Sequence, residues 1–267
     1  MFRTLVALAA LSSALACPDH TPPSSALGRR ADENADEHPA EATWTFADQA
    51  AWAVDNPICS TGTMQSPINL SGAFSKVYAP TFKYDNLAIG TLSNWGYGPS
   101  YSLNGTADAP TFTTNGTTYY LLGFHTHTPS DHTINGKSAP AELHLVHGDA
   151  SGAAKGVLGF PLVVGAEESE FFAQILGPTG APNVTSNLLL DNHEMDMRKA
   201  LTDSGNFKKY WTYRGSLTTP PCTEGKRWWV SGQSLTVSQE QMAELLLISE
   251  DSARDVQKIQ AHGVGEL

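Results

Sequence analysis

Basic residues are scarce in this chain. Lysine and arginine number 16 against 27 aspartates and glutamates, a formal charge of −11, and charged residues make up only 16% of the 267 positions. That balance excludes nucleic acid or an anionic membrane surface as the main partner. Long apolar runs are missing as well. No stretch beyond the N-terminus reaches the roughly 20 residues of a membrane-spanning helix. No period of about 20–50 residues recurs, which excludes a repeat array. Cysteine appears only as Cys17, Cys59 and Cys222. What is abundant is apolar surface: hydrophobic residues reach 40%, enough for a sizeable core in one large β-rich domain or two small ones.

The first 43 residues read as processing segments. Arg3 precedes an apolar run from Leu5 to Leu11, and Ala14-Leu15-Ala16 offers a small-x-small cleavage site, so residues 1–16 are read as a signal peptide. Residues 17–43, rich in Pro, Ser, Ala, Asp and Glu, cannot bury enough surface to order themselves and form a tail or propeptide. Arg29-Arg30 is a dibasic pair after which a protease would cut; the alternative is a tail with two adjacent arginines. Four N-x-S/T sequons, at Asn69, Asn104, Asn115 and Asn183, suit export as glycosylation sites, though each is a common chance match. The product is expected to be secreted and extracellular. Cys17 would leave with the tail, and in an oxidising compartment the remaining Cys59 and Cys222 are expected to pair.

Residues 44–267 carry the fold. Phe82-Lys83-Tyr84, Thr111-Phe112-Thr113, Tyr119-Tyr120-Leu121-Leu122 and Trp228-Trp229-Val230 are β-branched or aromatic runs punctuated by Gly, Pro, Asn and Asp. Ser238 with Gln241 predicts a capped helix whose apolar stripe is Met242, Leu245 and Leu246, and a second, weaker helix is expected over Glu168–Leu176. The densest chemistry is Phe124-His125-Thr126-His127 followed by Ala141-Glu142-Leu143-His144-Leu145-Val146-His147. On strands, alternate side chains share a face, so His125 pairs with His127, and Glu142 with His144 and Val146. If the two strands are antiparallel neighbours, three imidazoles converge beside a carboxylate. Three His ligands with a fourth position open are the pattern of a catalytic zinc site, with Glu142 placed to orient a ligand.

These motifs, with Gln65-Ser66-Pro67-Ile68-Asn69 and Tyr213-Arg214-Gly215-Ser216-Leu217-Thr218-Thr219-Pro220-Pro221, resemble the α-class carbonic anhydrases in the same order, over roughly Trp44 to Gln257. Cys59 and Cys222 resemble the disulfide of secreted members. The resemblance implies a single α/β domain around a large twisted, mainly antiparallel central β-sheet with short peripheral helices. It implies reversible hydration of CO2 to bicarbonate and a proton, by zinc-bound hydroxide on His125, His127 and His144. Carbonic anhydrase is itself the standard case of such a metal, its bound water having a pKa of about 7. Thr218 matches the residue that orients the nucleophile, and Asp131 matches the acid that accepts the threonine's proton. Val146, Val157, Leu217 and Trp228 match the apolar wall for CO2, and Thr219 a position beside bicarbonate.

Departures from the family pattern point to a slower enzyme. Asp131 is shorter than the family's Glu. Gly123 stands where the family has a Gln that bonds the first His. Ser252-Ala253-Arg254-Asp255 replaces Asn-x-Arg-Pro, and Tyr97 takes the place of the proton-shuttle His. Competing readings are a non-catalytic or weakly active ligand-binding module on the same fold, which would normally have lost a zinc His, and a two-domain β-barrel oxygenase, which needs a further His after a Pro-Gly turn. The sequence leaves the choice between monomer and homodimer open.

Overall fold

Short β-branched and aromatic runs between turn residues become a sheet that is buried on both faces. The computed structural model describes residues 44–176, 181–184 and 188–265; the expected signal peptide, Cys17 and Arg29-Arg30 lie outside the described residues. The strands are β1 (Asn69–Leu70), β2 (Thr81–Lys83), β3 (Ala88–Asn94), β4 (Pro99–Leu103), β5 (Thr111–Thr114), β6 (Thr117–His127) and β7 (Thr133–Ile134). They continue with β8 (Lys137–Ser138), β9 (Ala141–Gly148), β10 (Ala154–Val164), β11 (Leu190–Met195), β12 (Tyr210–Ser216), β13 (Glu224–Ser231) and β14 (Leu235–Val237). The helices are short: α1 (Trp52–Asp55), α2 (Ile58–Thr61), α3 (Arg198–Asp203) and α4 (Gln239–Leu247).

Eleven strands form one sheet whose main path runs β11-β3-β4-β6-β9-β10-β13-β12, with β5, β2 and β14 attached to it. Its ladders are antiparallel except those that β10 makes with β13 and β14. The expected fold class therefore holds. Nearly every residue of β6's second half, of β9 and of β10 is buried. One face packs a large core that includes Tyr101, Phe124, Phe160 and Trp229; the other packs Val146, Val157, Tyr213 and Trp228. A third cluster gathers Phe46, Trp52, Trp95 and Tyr97 around the bridged Cys59 and Cys222, whose Cα atoms are 5.1 Å apart.

The capped helix forms as expected. Ser238 Oγ accepts from Gln241 N at 3.1 Å, and Gln241 Oε1 accepts from Ser238 N at 3.2 Å. Glu168–Leu176 does not become an α-helix; only a 3-10 turn forms over Phe172–Gln174. The neighbouring Phe171 and Phe172 are both fully buried, which a one-sided helical stripe does not permit.

Candidate metal centre

Strand register builds the centre. In the antiparallel β6–β9 ladder His125 is directly opposite His144, and His127 is opposite Glu142. The expected convergence follows: the imidazole centroids lie 4.6–5.2 Å apart, and one nitrogen from each ring falls within 4.8 Å of the others. All three histidines are buried, at 4% exposure or less.

The outer nitrogens of His127 and His144 are held by acceptors. His127 Nδ1 donates to the Ser252 carbonyl at 2.7 Å, which leaves Nε2 with its lone pair; that atom is buried, has no hydrogen-bond partner among the described residues and lies 3.5 Å from Asp131 Oδ2. His144 Nε2 donates to Glu142 Oε1 at 3.1 Å, so its Nδ1 turns inward, 3.3 Å from His125 Nε2. Burial pushes the His127 pKa down, only partly opposed by Asp131. Neutral imidazole with an exposed lone pair is the ligating form.

Glu142 is gripped from a second side. His132 approaches it twice, N to Oε2 at 2.8 Å and Nδ1 to Oε1 at 2.7 Å, while His132 Nε2 is 2.8 Å from the Tyr213 hydroxyl. Burial raises the Glu142 pKa, but the charge and hydrogen bonds of His132 and His144 outweigh it and hold the carboxyl well below its ordinary value. Gly159 makes room for this carboxylate: a Cβ there would meet Glu142 Oε1 at 2.8 Å. His132 thus braces the carboxylate that in turn holds His144.

Of the remaining expected residues, those on the strands lie beside the histidines. Gly123, Val146, Val157, Trp228 and Tyr213 are successive cross-strand partners over β6, β9, β10, β13 and β12, one row away from the histidines. The Trp228 ring is 4.8 Å from His144, and Val146, Val157, Leu217, Thr218 and Thr219 are all buried. A β-bulge accompanies Gly123: the β6–β9 register slips between Leu121 and Gly123. Leu122, between them, joins the cluster of Val146 and Val157 on the metal-side face. Asp131 was expected to accept from Thr218. Its Oδ1 instead accepts from Arg254 N at 2.8 Å, and Oδ2 has no hydrogen bond among the described residues.

Tyr97 sits at the rim, wedged against Phe46 at 4.8 Å and Trp95 at 5.0 Å, and burial raises its pKa, with Glu250 adding to the rise against a backbone bond at Phe46. It lines a cavity of about 710 Å³ shared with Glu250, Asp251 and Asp255. Of the sequons, Asn104, Asn115 and Asn183 are exposed, whereas Asn69 is half-buried and its Oδ1 accepts from Thr133 Oγ1 and Gly136 N.

Sequence reasoning missed several contributors. Trp95 lies 5.6 Å from the His125 ring and 5.4 Å from that of His127, with its indole N–H on the Thr126 carbonyl at 3.2 Å. Arg254, noted only within a changed motif, donates from Nη1 to Gln65 Oε1 and the Ser66 carbonyl, and from Nη2 to the Cys59 carbonyl. Ser66 and Ser216 bond each other's backbone N–H through their hydroxyls, and Gln65 Nε2 donates to the Cys222 carbonyl. The Gln65-Ser66 motif thus clamps the loop that carries Thr218. Its presence in the sequence beside that loop's own motif was the available signal.

The whole-chain comparisons agree. Residues 47–262 match the family model described as eukaryotic-type carbonic anhydrase. A carbonic anhydrase of Klebsiella pneumoniae is 34% identical over 78% of this chain and 82% of its own length, and alpha carbonic anhydrase 6 of Arabidopsis thaliana is 37% identical over 70% of each. Among solved structures, the α-carbonic anhydrase of Photobacterium profundum has a TM-score of 0.70 at 26% identity, covering 81% of this chain and 95% of that one. The Thermovibrio ammonificans α-carbonic anhydrase in complex with sulfanilamide has a TM-score of 0.66 at 30% identity, covering 81% and 94%. With a family model matched across most of its length and the histidine-lined site in its sheet, this chain belongs to the eukaryotic-type, or α, carbonic anhydrase family.

Proposed function

We propose that the chain hydrates CO2 reversibly with a zinc ion held by His125 Nε2, His127 Nε2 and His144 Nδ1. The observation that carries this reading is the buried His127 Nε2, without a hydrogen-bond partner among the described residues and close to two other imidazole nitrogens, while acceptors fix the His127 and His144 rings from behind. A set of three nitrogen donors suits zinc, and an open fourth position suits catalysis. Bound there, zinc would supply a Lewis acid that makes water nucleophilic at neutral pH.

The chain's own groups do the rest. Glu142, itself held by His132, orients His144 and keeps its inner nitrogen unprotonated. Thr218 orients the attacking oxygen; Asp131 Oδ2 is the acceptor its hydroxyl would need to reach, a contact not made among the described residues. Val146, Val157, Leu217 and Trp228 hold an apolar substrate by surface contact and keep bulk water away, with Thr219 beside the product. Each turnover also releases a proton that must reach solvent. At Tyr97 the relay is a phenol whose pKa is raised by burial, so it holds its proton at neutral pH. The enzyme is accordingly limited by proton export and slower than members with an imidazole there. The Tyr97→His variant tests this: turnover should rise in dilute buffer, and an unchanged rate would refute it. Binding of sulfanilamide, seen in the Thermovibrio relative, is expected here at the same centre. Secretion, with glycans at the exposed Asn104, Asn115 and Asn183, is part of the same reading.

A further inference from the structure

Scarce as they are, four of the chain's 16 lysines and arginines line one cavity. Lys155, Arg214, Lys226 and Arg227 surround a volume of about 440 Å³, together with Tyr119 and Gly225. Among the described residues a single carboxylate, Asp149, shares the lining, and it is already engaged. Its Oδ1 accepts from Ser151 N, Ser151 Oγ and Ala153 N, and its Oδ2 is 3.8 Å from Lys155 Nζ.

Register makes this concentration costly. Arg214 and Arg227 are direct cross-strand partners in the β12–β13 ladder, where like charges repel. The Arg227 guanidinium is held over the Tyr78 ring, 4.5 Å from its centroid, and its Nη1 is buried without an acceptor among the described residues. Burial, with the Arg214 charge adding to it, pushes the Arg227 pKa down despite Tyr78. Nor does the candidate metal centre explain these residues. On β13 Trp228 packs against His144, whereas Trp229, which shares Arg227's face, packs against Phe112 and Tyr119.

We propose that this cavity binds a dianionic phosphate group, either free phosphate or a small phosphate ester. Paired guanidiniums match phosphate oxygens bidentately, and lysines add point charge. Two negative charges compensate the opposed arginines, which one carboxylate does not. A cavity of 440 Å³ also has room for a sugar-sized remainder beyond the phosphate.

Calorimetric titration of the purified full chain tests this, with inorganic phosphate and ribose 5-phosphate in separate runs at ionic strength fixed by chloride. The expected result is saturable binding of one phosphate per chain, weakened at least tenfold in the Arg214→Gln/Arg227→Gln double variant. Lys155→Gln, at a side chain about half exposed, should weaken it several-fold and keeps the test sound should the double substitution disturb the sheet. Tighter binding of ribose 5-phosphate would support an ester as the ligand, and tighter binding of inorganic phosphate would support the free ion. Absence of binding, or binding that both variants leave unchanged, as it would be at the metal centre, overturns the proposal.

Discussion

Every imidazole nitrogen that turns away from the candidate metal in His127 and His144 is spoken for by an acceptor, and that division of labour is visible residue by residue. Glu142 is the pivotal acceptor, because removing its charge frees both His144 and His132. Glu142→Gln should weaken zinc binding about 10- to 100-fold, read by competition with a chelator. Its native pKa lies well below the ordinary carboxyl value. The carboxylate therefore stabilises the fold fully above its unfolded pKa of about 4.3, and that stabilisation is lost as pH falls through the native value. Urea unfolding of zinc-free protein should show a wild-type advantage over Glu142→Gln at pH 7 that shrinks below about pH 4; a constant gap would contradict the pairing. Tyr97→His should raise kcat in dilute buffer, leave kcat/KM nearly unchanged and make added imidazole buffer matter less, because only proton export is altered. The three convergent histidines and Glu142 were legible because a period of two fixes which side chains share a face of one strand. Ser252 and Trp95 were not, since Ser252 reaches His127 across 125 positions and Trp95 reaches Thr126 across 31, distances that no local pattern spans.

Among the elements, the strands that bear the site were legible, and their irregularities were not. Alternation alone puts Gly123 on the face of His125, but the adjoining bulge also brings Leu122 to that side, and such a slip leaves no mark in residue type. The expected helix at Glu168–Leu176 failed for a comparable reason: burial of consecutive phenylalanines overrode the helical spacing. The α4 cap was legible because Ser238 and Gln241 satisfy each other locally. Ser238→Ala should cost about 1 kcal/mol in chemical denaturation. The Cys59–Cys222 bridge closes a span of 163 residues and anchors the loop after Thr218. On a chain-entropy account, reducing it should remove up to about 5 kcal/mol of stability. Loss of activity under reduction, at temperatures where the fold persists, would show that the same bridge also holds Thr218 in place.

For the whole molecule, the two-sided burial of one mixed sheet explains why a chain with so few charges folds around a polar centre. The central strands have apolar neighbours on both faces, so the histidines sit in a buried row beside an apolar one. The metal decides the chemistry of the whole chain. Zinc content and stopped-flow CO2 hydration should be measured together on wild type and on His144→Ala, with circular dichroism confirming that the variant folds. The predicted result is one zinc per wild-type chain with measurable hydration, and neither zinc nor activity in the variant. Wild-type zinc content retained in His144→Ala, or wild-type hydration without bound metal, would contradict it.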